Sequence, residues 1–172
     1  MPLQQRRQTS DRILSQWILW ALRLLGFCIF VWAFFLPAIR AGSGTSAIVF
    51  DGWKCASIAA TETVALFGKS AGGAPSFEVL LVAISGWINP LVPLLLLLSF
   101  ARSLLVVRRV LAVLVLLCIA ATWTFFALQK ATPLIGHMLW IAGALLVAVS
   151  ASVNRSVPGP AKAAGGRVVN EP

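Results

Sequence analysis

Four long apolar stretches alternate along the chain with segments of polar or small residues, and they run from Trp17 to Leu36, Val79 to Phe100, Val110 to Leu128 and Leu134 to Ser152. A helix rising 1.5 Å per residue needs about 20 apolar residues to cross some 30 Å of hydrocarbon, which matches these lengths. The pattern predicts an all-α fold, an integral membrane four-helix bundle forming a single transmembrane domain over residues 1–153. The Gly-, Pro- and Ala-rich tail at 154–172 carries scattered positive charge and is expected to be disordered and cytoplasmic.

The stretches differ in character. Arg12, Gln16, Leu19 and Arg23 recur at helical spacing, and Ile13, Trp17, Trp20 and Leu24 form a second stripe, so the first helix is expected to start amphipathic in the interface. Arg23 is expected to snorkel back to the headgroups. The alternative makes it a buried intramembrane charge on a substrate path. Basic residues before an apolar run also mark signal peptides, but this run is longer than an h-region and contains Arg23, so an uncleaved anchor is expected. In the second stretch, Gly86-Trp87-Ile88-Asn89-Pro90 and then Pro93 predict a kink or break near Asn89, because proline lacks an amide hydrogen and crowds the carbonyl four residues earlier. Asn89 or a neighbouring helix is the expected partner for the freed carbonyls. Arg102, Arg108 and Arg109 read as a basic connector, and Gln129 to Pro133 as a tight turn. The fourth stretch carries Ala144, Ala148 and Ser152 at a spacing that lets a neighbouring helix come close.

Between the first two stretches, residues 37–78 read as an outer loop with small, flexible ends at 41–46 and 68–75. Within it Trp53, Ala56, Ala60, Val64 and Phe67 recur opposite Lys54, Ser57, Thr61 and Glu62. That predicts a short amphipathic helix lying on the outer leaflet or capping the bundle.

Composition strengthens the membrane reading. Hydrophobic residues make up 59% of the 172 and charged residues 11%, and the mean hydropathy is +0.91. A soluble domain carries about a quarter charged residues. Fourteen Lys and Arg against five Asp and Glu give a net charge of +9, but these basic residues flank apolar stretches instead of forming a face with base-stacking aromatics, so nucleic acid is rejected as a partner. Arg6, Arg7, Arg12, Arg23, Arg102, Arg108, Arg109, Arg155, Lys162 and Arg167 fall on one side of the four-span topology, leaving Arg40, Lys54, Lys69 and Lys130 on the other. Retention of Lys and Arg on the cytoplasmic side then predicts both termini inside. Trp17 and Trp20 fall at the inner end of the first helix, and Trp32, Trp87, Trp123 and Trp140 in outer halves, as aromatic belts do.

Reactive chemistry is sparse. Asp51, Glu62 and Glu78 all belong to the outer loop or its edge, and none is embedded in a span where paired carboxylates could work. His137 is the sole histidine and is read as an interfacial or packing residue, since a metal would need further ligands. Cys28 and Cys118 read as small buried hydrophobes. Cys55 is open to three readings: a free thiol, a packing residue or half of an intermolecular disulfide. Gly42-Ser43-Gly44 lacks the spacing of a nucleophile elbow, and Gly68-Lys69-Ser70 lacks the earlier glycine of a P-loop because Thr63 stands there. No catalytic residue, cofactor or metal site is therefore expected.

Gly86-Trp-Ile-Asn-Pro-Leu91, Phe100-Ala-Arg-Ser103 and Gly136-His-Met-Leu-Trp-Ile141 together resemble small bacterial inner-membrane proteins of four helices. The resemblance covers the last two thirds of the chain. It implies a multi-pass topology and a bacterial inner (plasma) membrane, and it implies no activity. The leading expectation is a non-catalytic accessory subunit or envelope scaffold, with the lipid bilayer and a protein partner or homo-oligomer engaged through Ala144, Ala148 and Ser152. A small transporter or permeability element, with Trp87, Asn89 and Pro90 near its pathway, is the alternative.

Overall fold

The computed structural model describes residues 3–42, 47–68 and 76–153, and for residues 3–13, 67–68 and 102 it describes the backbone alone. The stretches at 43–46 and 69–75 and the tail at 154–172, expected to be flexible or disordered, lie outside the described residues. Helix α1 spans Leu3–Trp32 and ends in a 3-10 turn over Ala33–Phe35. Strands β1 (Pro37–Ala41) and β2 (Ile48–Asp51) follow, then α2 (Gly52–Gly68), α3 (Phe77–Gly86) and α4 (Ile88–Leu98). A 3-10 turn over Arg102–Leu104 leads into α5 (Leu105–Gln129), β3 (Thr132–Pro133) and α6 (Ile135–Ser152).

The chain is mostly helical, and four helical segments are long and apolar enough to cross a membrane: Leu14–Phe35, Phe77–Leu98, Leu105–Gln129 and Ile135–Ser152. Less than half of each segment is buried inside the protein, so most of each helix surface offers Leu, Val, Ile and Trp outward, as lipid contact requires. Burial against protein gains little over burial against lipid tails, so close packing has to hold these helices together. It is tightest between α1 and α6. A Cβ on Gly143 would sit 2.6 Å from the Gly26 oxygen and 2.6 Å from the Phe30 nitrogen, which means the two backbones touch. Ile88, Val92 and Leu95 of α4 share one face and are fully buried among Val115 of α5 and Ala144, Val147 and Ala151 of α6.

The structure departs from the sequence expectations at several points. The fold is not purely helical, because β1 lies between β2 and β3 in an antiparallel three-stranded sheet. Residues 37–41 and 48–51 pair in the predicted loop, and Thr132–Pro133 joins them from the predicted turn. The sheet is short and its third strand is remote in sequence, so no alternating run announced it. Gly52 N–H donates to the Leu36 carbonyl (3.1 Å) and Leu134 N–H to that of Ala38 (2.8 Å), fixing the sheet across one end of the bundle, hereafter the sheet end.

The basic connector is shorter than expected. Helix α5 starts at Leu105, which brings Arg108 and Arg109 inside it, and Arg108 is 4% exposed. The second span breaks at Trp87, three residues before Pro90, and Trp87 keeps near-helical torsions (φ −64°, ψ −17°), so α3 and α4 make one span with a one-residue interruption. Pro90 has no amide hydrogen for the Gly86 carbonyl, which accounts for a break there. Helix α2 forms as predicted. Trp53 and Val64 are 70% and 72% exposed, while Ala59 is buried against Gly86, where a glycine Cβ would come within 2.9 Å of the Ala59 Cβ. Small size, not hydrophobicity, selects the packed face.

Candidate functional site

Helices α2, α5 and α6, the broken span and the sheet converge at the sheet end around a cavity of about 400 Å³. Its walls come from Phe34 after α1, Ala38 and Ile39 of β1, Cys55 and Ala59 of α2, Asn89 of α4, Thr122, Phe125 and Phe126 of α5, and His137 and Trp140 of α6. The lining is mainly apolar and aromatic, and 400 Å³ falls within the size range of ligand sites.

Several polar groups in the wall are held by local causes. Gly136 brings the first turn of α6 against the chain after α1, since a Cβ there would meet the Pro37 oxygen at 2.7 Å. That contact sets His137 inward, 5% exposed, edge-on to Phe126 (ring centroids 4.6 Å) and beside Trp140 (5.4 Å). Trp140 stacks on Phe30 (5.9 Å, 20°) and donates its indole N–H to Asn89 Oδ1 at 3.2 Å. The Thr122 hydroxyl donates to its own helix at the Cys118 carbonyl (2.9 Å). His137 Nε2 has no hydrogen-bond partner although it is buried. An unpaired buried polar atom of this kind costs about 1–3 kcal/mol, and it lies beside the paired Trp140 indole and Thr122 hydroxyl.

Cys55 lies half-buried in the same wall. Burial, and secondarily the negative charge of Asp51, raise its thiol to about 11. The free thiol is therefore protonated at neutral pH and unprimed as a nucleophile. Asp51 also caps α2, its Oδ1 accepting from the Lys54 N–H at 2.7 Å.

A second hollow of about 580 Å³ lies on the other face of α2, lined by Trp53, Ala60, Val64, Trp87 and Pro90 among others. Phe34, Ala56, Gly86 and Asn89 border both hollows. The structure thus brings Trp87, Asn89 and Pro90 together at the sheet end, with Trp87 and Pro90 exposed and Asn89 engaged by Trp140.

The other residues singled out by sequence lie elsewhere. Ala144 and Ala148 are buried in the core of the chain itself and offer no free face to a neighbour, and the Ser152 hydroxyl donates to the Val149 carbonyl (2.8 Å). Arg23 does not snorkel. It is 5% exposed, and its Nη2 and Nε donate to the Ser150 carbonyl at 2.9 and 3.3 Å. Cys118 is buried as expected, whereas Cys28 is exposed on α1. Sequence reasoning passed over Cys55, Phe126 and Trp140 as cavity residues, and read His137 as interfacial or packing; it packs against Phe126 and Trp140. The available signal was the Gly136-His137 pair opening an otherwise apolar helix. Among the described residues no group of three His, Cys, Asp or Glu side chains could hold a metal.

Compared with known protein families, curated proteins and solved structures, the chain has no match in any of the three.

Proposed function

We propose that this protein is a non-catalytic, multi-pass membrane protein, an accessory or envelope component, that holds an apolar or amphiphilic small molecule in the cavity at its sheet end. The mainly apolar and aromatic cavity carries the reading, and His137, a residue of its wall, keeps a buried Nε2 without a hydrogen-bond partner. A ligand with a hydrocarbon body and a single hydroxyl, carbonyl or amide suits that wall. The protonated Cys55 thiol favours binding over covalent chemistry. The excess of arginine at the opposite end supports an orientation with that end cytoplasmic and the sheet end outside, and the bacterial inner membrane is the setting suggested by the sequence resemblance.

Native mass spectrometry of protein extracted gently from its own membranes tests this. The wild type should retain a low-mass adduct, and a Cys55→Phe variant that fills the cavity should lose it while keeping its helical circular dichroism. An adduct held equally by both proteins, or none under any gentle extraction, contradicts the proposal.

The position of Asn89 between two hollows, beside the break at Trp87, favours a second reading as a small permeability element. Reconstituted vesicles would then pass a solute that Asn89→Leu vesicles retain. Equal flux through both would remove Asn89 from any pathway.

A further inference from the structure

At the end opposite the sheet, an arginine on each of two helices is buried. Arg23 of α1 is 5% exposed and Arg108 of α5 is 4% exposed. Arg108 stands in the first turn of α5, which the chain enters a few residues after Phe100. The guanidinium of Arg23 lies 4.8 Å over the Trp20 ring, which packs on Phe100 at 4.5 Å, just past the end of α4. Both arginines thus sit where α1, α4, α5 and α6 meet.

Their compensation is unequal. Arg23 caps the last turn of α6 through the Ser150 carbonyl, one of the helix-end carbonyls that lack a partner within their own helix. Arg108 Nε is buried with no partner. The acids whose side chains are described, Asp51, Glu62 and Glu78, belong to α2, α3 and the sheet at the other end of the protein. The Ser99 hydroxyl donates to Leu95 and the Ser150 hydroxyl to Leu146 and Val147, so both buried hydroxyl hydrogens are already used. Two buried cations, one held by a single carbonyl and the other with an unpaired Nε, are short of negative charge, and removing such charges from water is costly unless an anion joins them.

We propose that Arg23 and Arg108 form a binding site for one phosphate-type anion, with Arg108 Nε as a donor to it. Arginine presents its N–H groups in a planar fork suited to phosphate oxygens, and one anion between two guanidiniums satisfies the orphaned donor and separates the like charges. The phosphate of a lipid in the adjacent leaflet and a free phosphate share this chemistry. The site is independent of the cavity at the sheet end.

The test uses the full-length chain, stripped of lipid in a neutral detergent, with its melting midpoint followed by circular dichroism. In one arm phosphatidylglycerol is added, with phosphatidylcholine as control, and in the other inorganic phosphate, with chloride at matched ionic strength. The anion should raise the wild-type midpoint by a few degrees over its control. Arg108→Gln should abolish the rise, and Arg108→Lys, which keeps the charge but loses the fork, should retain a reduced one. A rise with the anionic lipid alone identifies a headgroup site, and a rise with both anions identifies a site open to free phosphate. If Arg108→Gln does not fold, the ordering of wild type above Arg108→Lys still decides. An equal response in the two, or no response to either anion in the wild type, overturns the proposal. So does a wild type that ignores both anions and loses stability on Glu171→Gln, since the chain's own carboxylate would then neutralise the pair.

Discussion

Cys55 and Asp51 show how one local arrangement sets two properties. The Asp51 carboxylate caps α2 through the Lys54 N–H and also opposes ionisation of Cys55, whose thiol burial alone would already raise. Asp51→Asn keeps a capping oxygen and removes the charge. In a chain with Cys28 and Cys118 changed to serine, Cys55 should react with maleimide faster as pH rises towards about 11, because the thiolate is the nucleophile. Asp51→Asn should lower that pKa and speed labelling severalfold at pH 8, yet leave the thiol above its ordinary value, since burial is the larger cause. An unchanged rate at pH 8 would contradict the electrostatic account. Residues of this kind were poorly legible in sequence. Cys55, His137 and Arg23 each admitted several readings, and the choice depended on partners between 4 and 127 positions away, such as the Ser150 carbonyl for Arg23.

Helices were more legible than the contacts between them. Hydropathy located the four spans within a few residues because lipid imposes its thickness on each one separately. Helix α2 was found by periodicity, but which face packs was not legible, because Ala59 against Gly86 wins on closeness while Trp53 and Val64 remain outside. The sheet escaped notice because Ile39 pairs with Phe50 on one side and Pro133 on the other, a register no local pattern encodes. The same logic makes Gly143 the most sensitive position between elements. Gly143→Ala places a methyl group against the backbone of Gly26 and Phe30 and should cost roughly 1–3 kcal/mol, lowering the melting midpoint in detergent. Ala142→Leu, on the exposed side of the same helix, should leave it nearly unchanged. Equal loss in the two variants would show that α1 and α6 are not in backbone contact.

At the scale of the whole molecule, the two ends are chemically unlike. One end gathers the sheet, α2, the acids Asp51, Glu62 and Glu78, and a largely apolar cavity, while the other gathers buried Arg23 and Arg108 with exposed Arg109. This polarity underlies the proposed orientation, with the cavity open to the outside and the arginines towards the cytoplasm. Helix α2 and the sheet close over one end of the bundle, so a ligand would meet Cys55, Phe126 and His137 before it reached the packed core of Val92, Val115 and Val147.

Side-specific cysteine labelling of intact cells tests that central claim most directly. In a chain whose native cysteines are replaced by serine, Lys54→Cys lies at the exposed start of α2, and Ser103→Cys lies in the exposed turn before α5. A membrane-impermeant maleimide should label Lys54→Cys in intact cells and Ser103→Cys only after permeabilisation. Labelling of both positions from outside, or of Ser103→Cys alone, would contradict the four-span arrangement with its cavity facing out.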